Sequence, residues 1–149
     1  MTDYALLEQQ TAALIADEPD VIANLANISA LLMDGLQNIN WVGFYIVKED
    51  QLVLGPFQGK PACVRIPIGK GVCGTAVALK SIQCIEDVHA FAGHIACDSA
   101  SNSEIVLPIM DDNKVYGVLD IDSPRFSRFD KNDVVGLSKI VQLIENYVI

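Results

Sequence analysis

Three of the four cysteines lie in glycine-containing segments that are typical of turns. Cys63 ends the segment GKPAC, Cys73 lies within GKGVCG, and Cys97 lies within GHIACD. Thiols near turns, with a histidine and carboxylates close by, favour redox chemistry over core packing. Cys84, between Ile82 and Ile85, is instead predicted to be a small packing residue on a strand.

A group of carboxylates is the second candidate for chemistry. Asp120 and Asp122 are two residues apart on a predicted strand, so they point to the same face. A tight hairpin with the preceding strand predicts Glu104 opposite Asp120 and next to Asp122. Three like charges on one sheet face cost energy unless a cation lies among them. The alternative is a solvated face, against which the apolar neighbours Val106 and Val118 count.

A metal site is conceivable but not predicted. Its ligands would be Cys63, Cys73, His89, His94 and Cys97. The spacings are irregular and no Cys-x-x-Cys pair occurs, unlike the usual zinc sites. The two histidines have an equal interpretation as hydrogen-bonding residues of a loop.

The glycines at 69, 71 and 74 match the Gly-x-Gly-x-x-Gly fingerprint of dinucleotide sites. Pro67 interrupts the preceding strand, and the chain lacks the alternating strands and helices of a doubly wound sheet. The pattern therefore predicts a tight turn that brings Cys73 near the start of a helix, where a thiol's pKa is lowered. No cofactor is expected.

Composition limits the classes of function. The chain has 149 residues, of which 51% are hydrophobic, which predicts one folded domain over residues 1–149. A formal net charge of −9 argues against nucleic-acid and membrane partners. The sequence shows no secretion signal and no apolar run of about 20 residues, so the cytoplasm is expected, where cysteines stay mostly reduced.

Hydrophobic periodicity predicts an α+β fold. Helices are expected over 3–16, 19–36 and 71–79, and a last helix is expected after Ser127. Pro19 is expected at the first helical position of the second helix. Ser127 is expected to cap the last helix, with Asp130 as the capping-box acid. Strands are expected over 40–47, 51–56, 64–68, 82–85, 103–110 and 114–122, with a long loop over 88–102. Short connections predict antiparallel pairing, with the terminal helices packed together on one face.

Seven segments, in this order, resemble the free methionine-(R)-sulfoxide reductases, which are single GAF-domain enzymes. They are NWVGFY at 40–45, GPFQGKPAC at 55–63, GKGVCGT at 69–75, DVH at 87–89, GHIACD at 93–98, SEIV at 103–106 and GVLDIDSP at 117–124. The resemblance covers most of the chain, and three cysteine motifs in this order are highly specific.

The resemblance implies a function and a set of site residues. The redox residues would be Cys97 as the catalytic thiol, Cys63 as the main resolving thiol and Cys73 as a third redox cysteine. Trp41 and Tyr45 would wall the pocket, while Glu104, Asp120 and Asp122 would hold the substrate, free methionine-(R)-sulfoxide. It also implies a six-stranded antiparallel GAF sheet, a homodimer, thioredoxin as reductant and a role in repair after oxidative stress. A non-catalytic GAF sensor of a small molecule or of redox state is the alternative.

Overall fold

The structure is a computed structural model that describes residues 1–93 and 100–149. Its elements are α1 (Tyr4–Ile15), α2 (Val21–Gly35), β1 (Trp41–Lys48), β2 (Gln51–Gln58), β3 (Arg65–Pro67), α3 (Gly71–Leu79), β4 (Gln83–Ile85), a short 3-10 helix (Val88–Ala90), β5 (Ser103–Asp111), β6 (Lys114–Ser123) and α4 (Lys131–Tyr147). The 3-10 helix and residues 91–93 and 100–102 fall within the predicted loop.

The strands form one six-stranded sheet in the order β3-β2-β1-β6-β5-β4. Every pair of neighbouring strands is antiparallel. The expected α+β class with a six-stranded antiparallel sheet is therefore confirmed. The two central strands carry four of the candidate site residues: Trp41 and Tyr45 lie on β1, and Asp120 and Asp122 lie on β6.

Three helices cover one face of this sheet, as the sequence predicted. Helices α2 and α4 contact the strands, and α1 packs against both of these helices. Alternate residues of β1, namely Val42, Phe44 and Ile46, enter this core together with leucines and isoleucines of the helices. Among residues 1–93 and 100–149, the opposite face packs against α3 and the segments around it, and it carries Trp41 and Tyr45, the residues expected to wall a pocket.

Two predicted helix starts are wrong. Asp20 caps α2 by accepting a hydrogen bond from the backbone of Ala23, so Pro19 lies outside the helix. Asp130 caps α4 through a reciprocal capping box with Asp133. Ser127 instead has a positive φ and pairs through its backbone with a distant strand end. In both cases an aspartate nearer the helix wins because its carboxylate reaches the free amide groups of the first turn.

The predicted register of the β5–β6 hairpin is also wrong, by two residues. Glu104 pairs with Asp122, and Val106 pairs with Asp120. A β-bulge between Ile109 and Met110 shifts the register near the turn. Because side chains alternate with a period of two, a shift of two residues leaves Glu104 on the predicted face.

Within the described residues, no helix combines the length and the apolar character that crossing a bilayer requires.

Candidate active site

Three carboxylates meet on the face of the sheet that the long helices leave uncovered. Glu104 comes from β5, while Asp120 and Asp122 come from β6. Glu104 and Asp120 are buried, at 7% and 5% exposure, and Asp122 is half-buried. Burial excludes the alternative of a solvated face for Glu104 and Asp120, and the expectation that the three acids share one face is met.

Helix α3 adds a thiol to this group. Cys73 lies in the first turn of the helix and is 4% exposed. The glycines on either side of it permit close packing: Gly69 and Gly71 have positive φ, and a Cβ on Gly74 would lie 2.4 Å from the Pro67 carbonyl oxygen. The glycine pattern thus forms a tight turn against an antiparallel sheet, as the sequence predicted, and not a dinucleotide fingerprint.

The thiol and two of the acids form one buried cluster, which we call the acid–thiol cluster. One ligand atom each from Cys73, Glu104 and Asp120 lies within 4.8 Å of the others. Burial, followed by the charges of Asp120 and Asp122, raises the pKa of Glu104 well above its usual value. Burial, followed by the charges of Asp120 and Glu104, likewise raises the pKa of Cys73, so the expected lowering by the helix does not prevail.

The pKa directions show which species this cluster favours. Burial in low dielectric and neighbouring negative charge both penalise an anion, so they keep the Cys73 thiol protonated and favour a protonated Glu104. A bound cation would relieve the same repulsion. The cluster therefore suits a ligand that carries positive charge and hydrogen-bond donors, such as an ammonium group.

Aromatic rings form the wall beside the cluster. Trp41 and Tyr45 are both 2% exposed, and their ring centroids are 5.9 Å apart with planes 23° from parallel. Trp41 also stacks on Phe57, at 5.2 Å and 15°. The sequence predicted the first two rings and missed Phe57, because β2 was expected to end at Pro56 and in fact extends to Gln58.

The segment that carries Cys63 adjoins this wall. The Tyr45 hydroxyl donates a hydrogen bond of 2.8 Å to the Cys63 carbonyl oxygen, and the Trp41 indole N–H donates one of 3.1 Å to the Lys60 carbonyl oxygen. Cys63 is half-buried and disulfide-bonded, whereas Cys73 and Cys84 are free thiols. Cys97, the predicted catalytic thiol, and His94 lie outside the described residues.

The zinc ligands considered from sequence do not form a group in the described part of the chain. The His89 ring is hydrogen-bonded at 3.0 Å to the Asn102 side chain, which is the role of a loop residue. Across residues 1–93 and 100–149, the acid–thiol cluster is the one set of three side chains with metal-binding spacing, and it excludes His89. It is rich in oxygen ligands and differs from the cysteine–histidine set considered from sequence.

The prediction that Cys84 is a packing residue is wrong. Cys84 is exposed on β4, the three-residue strand at the sheet edge, and its thiol points to the Phe129 carbonyl oxygen at 3.5 Å. The flanking isoleucines misled because an edge strand has fewer neighbours to cover it. Ile82 is itself 37% exposed.

Comparison with known proteins gives consistent results. The family model of the GAF domain matches residues 22–148. The free methionine-R-sulfoxide reductase of Escherichia coli is 60% identical over 142 residues, covering 95% of this chain and 86% of that protein. The reduced form of the Staphylococcus aureus fRMsr superposes with a TM-score of 0.97 at 58% identity, covering 100% of this chain and 97% of that one. The same protein in complex with substrate gives a TM-score of 0.95, with the same identity and coverage.

Proposed function

Because this chain belongs to the GAF-domain family of free methionine-R-sulfoxide reductases, we propose that it reduces free L-methionine-(R)-sulfoxide to L-methionine. The observation that carries the proposal is the buried acid–thiol cluster, with Asp122 beside it, next to stacked aromatic rings. Glu104, Asp120 and Asp122 bind the substrate ammonium, which relieves their mutual repulsion. Trp41 and Tyr45 contact the methyl and methylene groups beside the sulfoxide, because aromatic rings bury apolar groups favourably.

The first chemical step makes methionine. The Cys97 thiolate attacks the sulfoxide sulfur while a carboxylic acid of the cluster protonates the sulfoxide oxygen. The raised pKa of Glu104 favours the protonated acid that this step requires. The attack forms a bond between the two sulfurs. The protonated oxygen then passes to the Cys97 sulfur as the bonds from the substrate sulfur to oxygen and to Cys97 break, so methionine leaves with its sulfur reduced and Cys97, oxidised by two electrons, becomes a sulfenic acid.

The second step converts the sulfenic acid to a disulfide, which a reductant then returns to two thiols. The Cys63 thiol attacks the sulfur of the Cys97 sulfenic acid, a disulfide forms, and the hydroxyl leaves as water with the thiol proton. A dithiol reductant, thioredoxin, then reduces the disulfide to two thiols. Support comes from the described cysteines, of which Cys63 is disulfide-bonded while Cys73 and Cys84 are free. The proposal also includes a single domain over residues 1–149, a homodimer and a cytoplasmic location.

The substrate assay tests the activity directly. Purified protein with dithiothreitol is given free L-methionine-R-sulfoxide, the S epimer and a peptide that contains methionine sulfoxide, and methionine is quantified. We expect turnover of the free R epimer alone, because a peptide bond removes the ammonium that the acids bind. Absence of turnover with all three would contradict the proposal and favour a GAF sensor.

The matched cysteine variants test the nucleophile. Cys97→Ser should abolish turnover, because no other thiol is proposed to attack the sulfoxide. Cys84→Ser is the control, since this thiol is exposed on the edge strand β4 and lies outside the acid–thiol cluster, so the variant should keep the wild-type rate. More than about a tenth of the wild-type rate in Cys97→Ser would contradict the assignment, since loss of a nucleophile usually costs several orders of magnitude.

A further inference from the structure

The aromatic wall is tied to the segment that carries Cys63. The Tyr45 hydroxyl donates to the Cys63 carbonyl oxygen at 2.8 Å, and the Trp41 indole N–H donates to the Lys60 carbonyl oxygen at 3.1 Å. These bonds join β1, at the centre of the sheet, to a segment that otherwise has no regular secondary structure. The same two rings therefore contact both the pocket and the cysteine-bearing segment.

The fit between segment and wall is close. Gly59 has a φ of +137°, and a Cβ there would lie 2.5 Å from Cδ1 of Trp41. Phe57 also stacks on the Trp41 ring, with the ring centroids 5.2 Å apart. The 59–63 segment is thus held against the wall by two hydrogen bonds and by packing, and its position depends on that wall.

Tyr45 is suited to act as a permanent donor. Its hydroxyl is buried, and burial followed by the charge of Asp120 raises the pKa of the phenol above its usual value, so the proton stays on the oxygen. A donor of this kind holds the Cys63 backbone without entering the proton transfers of the reaction.

We propose that Tyr45 is a positioning residue for disulfide formation: its hydroxyl holds the Cys63 backbone where the resolving thiol can reach the sulfenic acid. The inference rests on the proposed function and assigns the hydroxyl a role separate from that of the ring. Reduction of the sulfoxide does not use Cys63, whereas condensation of the Cys63 thiol with the sulfenic acid does. Loss of the hydroxyl should therefore slow the second step more than the first.

Tyr45→Phe removes the hydroxyl and keeps the ring. Reduced enzyme is mixed with one equivalent of free methionine-R-sulfoxide, and two rates are followed: release of methionine, and loss of the sulfenic acid, trapped with a sulfenic-acid-specific reagent, as the disulfide forms. Disulfide formation should be slowed about three- to tenfold more than methionine release, the effect of losing one hydrogen bond. Methionine release in the same variant measures any effect on the substrate wall itself.

The control is Tyr116→Phe. Tyr116 lies on β6, and its half-buried ring packs against the helix-covered core, not the pocket. The substitution makes the same chemical change on the other face and should alter neither rate. Trp41→Phe is a second test of the hydrogen-bonded link between the wall and the 59–63 segment, since it removes the donor to the Lys60 carbonyl oxygen and should also slow disulfide formation more than methionine release.

The two rates decide between the alternatives. Disulfide formation at the wild-type rate in both Tyr45→Phe and Trp41→Phe would overturn the proposal. Equal slowing of both steps would also overturn it, because that result indicates a merely structural role for the ring. If wild type itself released no methionine, the proposed function would fail. If methionine release were normal and the rate of disulfide formation were unchanged in the variants, only the positioning role of Tyr45 would be rejected.

Discussion

The two faces of the sheet are made by alternate residues of the same strands, yet they are built in opposite ways. On the helix-covered face, Leu119 and Ile121 of β6 are completely buried among aliphatic side chains. On the pocket face, the residues between and after them, Asp120 and Asp122, are acids. One strand thus contributes both to the core and to the site.

The difference shows where stability comes from and where it is lost. Aliphatic burial on the helix-covered face is favourable and needs no partner atoms beyond close packing. The pocket face buries carboxyl groups and a thiol whose charged forms are penalised by burial and by each other. The helix-covered face therefore supplies the stability that lets the pocket face keep a repulsive arrangement ready for a cationic ligand.

The largest expected effect comes from removing the charge that the acids of the pocket face are proposed to bind. N-acetylmethionine sulfoxide lacks the ammonium, so its kcat/KM should fall a hundredfold or more, since hydrogen bonds to charged groups contribute about 1.5–3 kcal/mol each. Asp120→Asn and Asp122→Asn should each lower kcat/KM for the free substrate by about tenfold or more on the same basis.

The hairpin turn offers the matched control. Asp112→Asn makes the same change at an exposed residue with a φ of +53°, a conformation that asparagine also adopts readily. It should leave kcat/KM unchanged. If N-acetylmethionine sulfoxide and free methionine sulfoxide were reduced with equal kcat/KM, the acids would not be recognising the ammonium.

Leu119, the neighbour of Asp120 on β6, tests the helix-covered face. Leu119→Ala leaves a cavity among the helices and should lower the free energy of unfolding by about 3 kcal/mol, within the range known for such changes. Below its new unfolding temperature, the variant should keep kcat/KM within about twofold of wild type. A folded variant with greatly reduced kcat/KM would mean that the two faces are not independent.

Strand periodicity predicts most of this division. The alternation in β1 assigns Trp41 and Tyr45 to one face and Val42 and Phe44 to the other, as found. It does so because side chains on a strand alternate regardless of what the strand pairs with. The sheet, its antiparallel pairing and the shared face of the three acids were therefore accessible from sequence.

Features that depend on distant contacts were not accessible. The bond between Tyr45 and Cys63 joins residues 18 positions apart through a fold that no local pattern specifies. The bulge between Ile109 and Met110 changed the register without any mark in composition. The exposure of Cys84 depends on its place at the sheet edge, which strand order decides and flanking residues do not.

The buried Glu104 should make stability depend on pH. Its pKa is raised in the folded protein, so between its ordinary value of 4.5 and that higher value the folded state binds more protons than the unfolded state. The free energy of unfolding should therefore fall as pH rises through this window. Glu104→Gln removes the titrating group, so its curve should be flatter and should lie above wild type at the alkaline end.

Urea unfolding of substrate-free protein at several pH values measures this effect. Asp111→Asn at the exposed end of β5 is the control and should follow the wild-type curve. If the wild-type curve had the same slope as that of Glu104→Gln, the raised pKa of Glu104 in the folded protein would be contradicted.

The smallest expected effect concerns the two free thiols, which lie in contrasting surroundings. In the disulfide form, Cys84 is exposed and should react with an alkylating agent in the folded protein. Cys73 is buried against two acids, and alkylation needs a thiolate and access, so it should react only when the protein opens. Mass spectrometry should find one alkylated thiol in native protein and two in denaturant.

Cys84→Ser should reduce these numbers by one each and leave turnover within about twofold, as is usual for exposed substitutions. Rapid alkylation of Cys73 in the native state would mean that the pocket face opens readily, and the redox role implied by the resemblance would then be favoured over a buried, protonated thiol.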